Sequence, residues 1–340
     1  MLVKELQPAE YSRWDEFVAA CPDATFFHRA GWKTVIERAF GHRATFLYAE
    51  ADEKIEGVLP LAEVRSFLFG HSLVSLPFCV YGGVAAASDQ ARRALDEAAV
   101  ALAEKLGVGH LEYRSIAPRH ADWAHSDLYV TFRRPIDPDP EKNMNAIPRK
   151  QRAMVRKGIK AGLKSEIEDG VERFFAAYAH SVHRLGTPVF SKRYFEVLRE
   201  VFARDSEVQT ITVDGKLVAS VLSFYFRDEV LPYYAGGMDV ARDVAGNDFM
   251  YWELTRRAAE RGLKVFDFGR SKKGTGSFDF KKNWGFEPQP LHYEYRLVKA
   301  ASVPEVNPLN PKYQLAIKAW QRMPLALANL IGPYIARDLG

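Results

Sequence analysis

The segment FDFGRSKKGTGSFDFKKNWGFEP, residues 266–288, packs lysines, glycines and aromatics into one short stretch that suits three different chemistries. Its D-F-G is shared with protein kinases. Phosphotransfer of that kind also needs a glycine-rich loop, a strand lysine and an H-R-D segment upstream, and the sequence has none of them. A Walker loop sets its glycines before the lysine, G-x-x-x-x-G-K-[ST], and opens a helix. Here Lys272 and Lys273 precede Gly274 and Gly276, and no long amphipathic helix is expected to follow. Two readings stay open on local features: a cationic strand end that meets anionic groups, or a glycine turn whose lysines are solvated.

The elements around this segment occur twice. In the first half, ATFLYAEADEKIEGVLPLAEVRSF reads as two strands about the turn Asp52-Glu53-Lys54. The helix ASDQARRALDEAAVALAEKLG follows, capped by Ser88 or Asp89 and stopped by Gly107, and then the strand VGHLEYRS. In the second half GKLVASVLSFYF and EVLPYYAGG are strands, NDFMYWELTRRAAERG is a helix closed by Gly262, and LKVFDFGRS is a strand. Gly107 aligns with Gly262, and Glu112-Tyr113 with Asp267-Phe268. The repeated order strand, strand, strand, helix, strand implies two copies of one α+β (mixed α/β) domain with mixed, largely antiparallel sheets. The expected boundaries are residues 1–147 for the first copy, 148–164 for a basic helix, 165–299 for the second copy, and 300–340 for a Pro-rich wrap and helical tail.

That helix, IPRKQRAMVRKGIKAGLK, contains Arg149, Lys150, Arg152, Arg156 and Lys157 without an acid, while Val155, Ile159 and Leu163 predict a buried stripe. Its cationic face can hold a polyanion or be simply solvated. Across all 340 residues the net charge is only +4, too small to mark a nucleic-acid protein by itself. Cys21 and Cys79 have no C-x-x-C spacing, which argues against a disulfide framework and a zinc site. His180 and His183 share a helix face without an evident third ligand, so no metal is expected. Residues 1–20 have no signal-type apolar core, and no stretch is long and apolar enough to span a bilayer. The expectation is a cytoplasmic protein, peripheral at the inner face of the membrane if the apolar tail from Leu315 to Leu339 lies in an interface rather than on the body of the protein.

Together, Y-Y-x-G-G at residues 233–237 and F-D-F-K-x-x-W-G-F at 278–286 resemble the catalytic half of the Fem-type peptidyltransferases. These tandem GNAT-fold enzymes add amino acids from aminoacyl-tRNA to peptidoglycan precursors. The resemblance runs from FFHRAGW to HYEYRL, and is strongest to the FemAB-like branch associated with exosortase, PEP-CTERM and exopolysaccharide gene clusters. It implies an acyl or aminoacyl transferase that forms an amide on an amino group of a cell-envelope glycan or peptide precursor. No tightly bound cofactor is implied; the donor is aminoacyl-tRNA or acyl-CoA, and tRNA is an expected partner.

Carried onto this sequence, the family's cationic cleft residue falls on Lys281, with Lys282 beside it, either to stabilise the oxyanion or to hold the tRNA 3′ end. Asp267 either accepts the amine proton or orients Arg270 or the turn backbone. Arg270, Lys272 and Lys273 line the same mouth, suited to phosphate or uronate groups. The resemblance places a substrate-binding tyrosine at Tyr233 or Tyr234; strand alternation puts one of them inward, with a core role as the alternative, and the other on the opposite face. Trp284 completes the motif as a substrate-binding candidate. Arg193 and Tyr194 match an arginine and tyrosine that the family presents to substrate phosphates, but they are adjacent rather than four apart, so only one faces the cleft. Trp32 and Lys33 match the family's early tryptophan turn, with a core role for Trp32 as the alternative.

Two rival functions remain. An acyl-CoA-dependent N-acyltransferase acting on an amino sugar would need a pyrophosphate loop before a helix. Residues 242–247, RDVAGN, miss the R/Q-x-x-G-x-G/A pattern by one position and lack its second glycine. A non-catalytic polyanion- or glycan-binding scaffold would point its lysines away from any cleft.

Overall fold

The computed structural model describes residues 1–66, 69–303 and 311–339. The strands in chain order are β1 (Leu2–Glu5), β2 (Arg43–Ala51), β3 (Lys54–Ser66), β4 (Gly70–Val74), β5 (Ala85–Ala86), β6 (His110–Ser115) and β7 (Ala124–Ser126). They continue as β8 (Tyr129–Pro135), β9 (Lys164–Glu168), β10 (Ser206–Val213), β11 (Lys216–Phe226), β12 (Glu229–Gly237) and β13 (Val265–Asp267). The last are β14 (Ser271–Lys272), β15 (Pro288–Pro290) and β16 (His292–Leu297). The helices are α1 (Tyr11–Ala20), α2 (Gly31–Val35), α3 (Asp89–Leu106), α4 (Pro140–Ala146), α5 (Arg149–Lys160) and α6 (Glu172–Arg184). They are followed by α7 (Lys192–Val201), α8 (Val240–Asp243), α9 (Gly246–Glu260), α10 (Gly276–Asn283), α11 (Pro311–Arg322) and α12 (Leu325–Ala336).

The chain folds as two units, each around its own mixed sheet. The first sheet runs β1-β2-β3-β4-β6-β16-β7, with β5 on β3. The second runs β14-β8-β13-β12-β11-β10-β9, with β15 on β8. Among the described residues, β4 pairs parallel with β6 and β12 with β13. A parallel pair needs a crossover, and α3 and α9 supply it at matching places. Both helices hand over to a left-handed glycine, Gly107 at φ 63° and Gly262 at φ 77°, the conformation only glycine adopts freely. The repeated order expected from the sequence is thus the order found.

The units are not contiguous in sequence. Val130–Gln289 belongs to the second, whereas Met1–Tyr129 and the strand region after Pro290 belong to the first. β16 pairs antiparallel with β6, and β8 pairs antiparallel with β13, so the two halves exchange a strand. Residues 130–147 and 290–299 therefore lie on the other side of the division drawn from the sequence. Strand pairing decides this, and pairing partners are not encoded locally.

The segment GSFDFKKN forms a short helix, α10, followed by Gly285 at φ 81°. One local expectation also changes. In α5, Val155 and Gly158 are the buried residues, and Ile159 is 50% exposed. The helix stops at Lys160, so Leu163 is buried from the following turn instead of extending a stripe. Gly158 lies against α9, where a Cβ would come within 2.8 Å of Phe249 Cβ. The Pro-rich wrap expected after residue 299 falls largely on 304–310, outside the described residues.

Candidate active site

The FDFG turn is held by β8, the exchanged strand. β13 pairs with β12 at only two positions, Glu229 with Val265 and Val230 with Phe266, while Asp267 stands opposite Arg133 of β8. Asp267 is fully buried. Arg133 Nη1 donates to its Oδ2 at 3.0 Å, and Thr131 Oγ1 (3.4 Å) and Gly269 N (2.8 Å) donate to its Oδ1. Arg133 also pairs with Glu229, whose carboxyl is pushed up by burial although the guanidinium opposes the shift. Of the roles expected for Asp267, these bonds favour holding the turn backbone. The arginine at its side is Arg133, which the sequence reading missed. The T-x-R alternation of β8 puts Thr131 and Arg133 on one face, but without the strand exchange it pointed to the other unit.

Lys281 completes the turn from α10. It is only 9% exposed, and its Nζ donates to Gly269 O at 3.0 Å and Arg270 O at 2.9 Å. The rings of Phe132 and Phe268 lie 5.5 and 5.6 Å from it. Burial pushes the amine down to about 7, with Arg270 adding to the shift and Asp267 opposing it. Lys281 is therefore an interior amine near its titration point, not the exposed cation expected at a cleft lip. Such an amine can give or take a proton near neutral pH. Lys282 and Lys273 are exposed and Arg270 and Lys272 half-buried, with Lys282 Nζ 5.7 Å from the Phe278 ring. Trp284 is a correction: it is buried in the core, and its indole donates to Asp248 Oδ1 at 2.9 Å.

The tyrosine pair is arranged by a bulge. Leu222 faces Tyr234 and Ser223 faces Pro232 in the β11–β12 ladder, so Tyr233 is the extra residue. A bulge re-aims side chains and breaks alternation. The two rings accordingly meet edge to face at 4.8 Å, not on opposite faces, and both are half-buried. Tyr234 OH lies 2.9 Å from Tyr194 OH, with the rings of Tyr178, Phe190 and Phe195 around it. Tyr194 is the inward member of its pair. Arg193 projects away, 57% exposed, 3.9 Å from Glu196.

At the start of α9, the glycines serve close packing. A Cβ on Gly236 would lie 2.2 Å from Ala177 O, and one on Gly246 would lie 2.4 Å from Val218 Cγ1. Asp248 is buried in the first turn of α9, with its carboxyl pushed up by burial, and Asp243 precedes it on α8. Asp248 thus places a carboxyl in the first turn of the helix whose end would otherwise attract an anion. On α5, Arg149, Lys150, Arg156 and Lys157 are exposed, and among the described residues they form no ion pair. Arg152 is half-buried and donates to Asn145 Oδ1 at 2.9 Å. In the first unit, Trp32 is fully buried against Phe26 and Phe27, and Lys33 pairs with Glu37 at 2.9 Å.

Residues 149–282 match the family model described as an acetyltransferase (GNAT) domain. No curated protein matches the sequence significantly. Among solved structures, FemX superposes with a TM-score of 0.68 at 16% identity, covering 93% of this chain and all of FemX. A tandem GNAT protein from the clavulanic acid biosynthesis pathway gives 0.56 at 13% identity, over 89% of this chain and 99% of its own. The C-terminal domain of a putative lysylphosphatidylglycerol synthetase from Agrobacterium fabrum gives 0.56 at 13% identity, over 84% and 91%. The GNAT domain over residues 149–282, in a chain whose fold matches that of a tandem GNAT protein, supports a GNAT-fold acyltransferase.

Proposed function

We propose that the chain transfers an aminoacyl group from aminoacyl-tRNA to an amino group on a cell-envelope or exopolysaccharide precursor, as the Fem-type resemblance implies. The observation that carries this choice of donor is Asp248 in the first turn of α9, with Asp243 just before it. Acyl-CoA needs that helix end for its pyrophosphate, and buried carboxylate there opposes it. The family model's acetyltransferase description favours acyl-CoA as the second reading. A non-catalytic scaffold gives no reason for a buried amine shifted to about 7.

In the proposed reaction the acceptor amine attacks the ester carbonyl carbon of the donor. A C–N bond forms, the ester C–O bond breaks, and the tRNA 3′ oxygen leaves. The amine proton passes to Lys281 when its amine is neutral, and from there to the leaving oxygen. Arg270, Lys272 and Lys273 face phosphate or uronate groups of the substrates, and the cations of α5 contact the tRNA. Supplying aminoacyl-tRNA and acyl-CoA in parallel to amino-sugar and peptide acceptors tests the reading, with Lys281→Ala as control. Amide formed from aminoacyl-tRNA alone is the expected result; turnover of acyl-CoA alone overturns it.

A further inference from the structure

The C-terminal helices bury their small residues and expose their large ones. On α12, Ala328, Gly332 and Ala336 recur every four residues and are buried. Gly332 sits so close that a Cβ would come within 2.9 Å of Val189 N. The opposite side presents Leu327 (41% exposed), Leu330 (66%), Ile331 (36%) and Tyr334 (70%). This i, i+3, i+4, i+7 set forms an apolar stripe about 100° wide, of the kind a helix normally packs inward. Leu315 of α11 and Leu185, just past α6, are also exposed, at 80% and 67%. The corner is fixed: Gln321 Nε2 donates to Arg184 O at 2.9 Å, and His183 Nε2 lies 2.9 Å from Met323 O.

The charge on these helices has one sign. Residues 311–336 contain Lys312, Lys318 and Arg322 and no aspartate or glutamate, and Lys318 and Arg322 are exposed. A solvent-facing apolar stripe on a helix pair whose charges are all cationic complements an anionic lipid surface, which takes up both the apolar side chains and the charge. No helix among the described residues is long and apolar enough to cross a membrane, so such contact is interfacial. We propose that α11 and α12 form a pad that seats the second unit on an anionic lipid surface. Leu327, Leu330, Ile331 and Tyr334 enter the acyl boundary, and Lys318 and Arg322 meet the headgroups. The proposal is independent of the donor, and its primary readout is vesicle binding, with transfer measured only as a control.

Flotation of the full chain with phosphatidylglycerol–phosphatidylcholine vesicles, against pure phosphatidylcholine, measures the contact. Binding at least about tenfold stronger to the anionic vesicles is expected, weakening as salt rises. Leu330→Asp with Tyr334→Asp should abolish it, and Lys318→Glu with Arg322→Glu should remove the preference for anionic lipid. All four positions are exposed, so Tm and transfer to a water-soluble acceptor should stay unchanged. Equal binding to both vesicles, or variants that bind like the parent, overturns the proposal. So does a concentration-dependent dimer that Leu330→Asp dissolves, because a second copy would then be the occupant. Vesicle binding without aminoacyl transfer would leave the pad standing and remove the donor assignment; transfer without binding would do the reverse.

Discussion

Asp267 and Lys281 hold the same residue from opposite ends: the carboxylate accepts from Gly269 N at 2.8 Å, and the amine donates to Gly269 O at 3.0 Å. Gly269, at φ 66°, thereby has both its polar groups fixed by buried side chains of opposite charge type. The arrangement keeps a tight turn rigid and places a near-neutral amine behind it. Preorganisation of this kind lets a group act without reorganising at the moment of reaction.

Lys281→Met should lower turnover by about a hundredfold or more, the usual range for a lost proton-transfer group. It also strips two carbonyls of their donor, at about 1–3 kcal/mol for each buried group left unpaired. Removal of a buried amine offsets part of that loss. Single-turnover transfer rates and urea unfolding separate the two effects. Wild-type rates in a folded Lys281→Met protein would remove Lys281 from the chemistry.

The pH dependence follows from the same residue. The amine lies at about 7 in the folded state against 10.5 when unperturbed, so between these values the unfolded chain binds the extra proton. Stability attributable to Lys281 therefore rises with pH from about 7 towards 10.5, and below 7 the cost of burying the cation is fully present. Each tenfold difference in proton affinity is worth about 1.4 kcal/mol. If the neutral amine takes the proton, kcat/KM should rise through an inflection near pH 7 that Lys281→Met abolishes. A profile that falls through the same pH would assign the protonated form instead.

Arg133→Met should destabilise the second unit by about 3–5 kcal/mol, because Asp267 would keep a buried charge without its guanidinium partner. Adding Asp267→Asn should recover much of the loss. Chemical denaturation of the two single variants and the double variant measures the coupling, and additive losses would mean that the pair is not a unit.

This pair also marks how far the sequence could be read. The repeat, the capped helix α3, and the glycines at 107 and 262 were legible because each is written in local spacing. Motif resemblance singled out Asp267, Lys281 and Tyr234, but not their surroundings. Arg133 reaches Asp267 only because β8 leaves its own half of the chain, and no local pattern records which strand it will join. Tyr233 escaped alternation because one extra residue in β12 shifts the register, which depends on the partner β11. Trp284 was misread because a motif letter does not say whether the ring faces substrate or Asp248.

The contact between Tyr194 and Tyr234 should behave as a coupled pair. Each phenol hydroxyl bonds the other at 2.9 Å, so either Tyr→Phe change removes this shared bond. A double-mutant cycle should give a coupling energy of about 0.5–1.5 kcal/mol, the net worth of one such bond. If the pair also positions substrate, KM should rise in Tyr234→Phe with kcat nearly unchanged. A coupling near zero would show that the hydroxyls turn to other partners.

The cations of α5 offer the sharpest test of the tRNA. Arg149, Lys150, Arg156 and Lys157 are exposed without ion pairs among the described residues, so their charge is available to a polyanion. Each phosphate contact adds a counterion-release increment of roughly 0.7–0.9 to the slope of log affinity against log salt. Replacing all four by alanine should therefore flatten that slope by about 3 and weaken tRNA binding at low salt. Fold stability should change little, because the helix packs through Val155 and Gly158, which the variant keeps. Filter-binding titrations from low to physiological salt give the slope. An unchanged slope would show that α5 faces solvent during binding and that other cations track the acceptor stem.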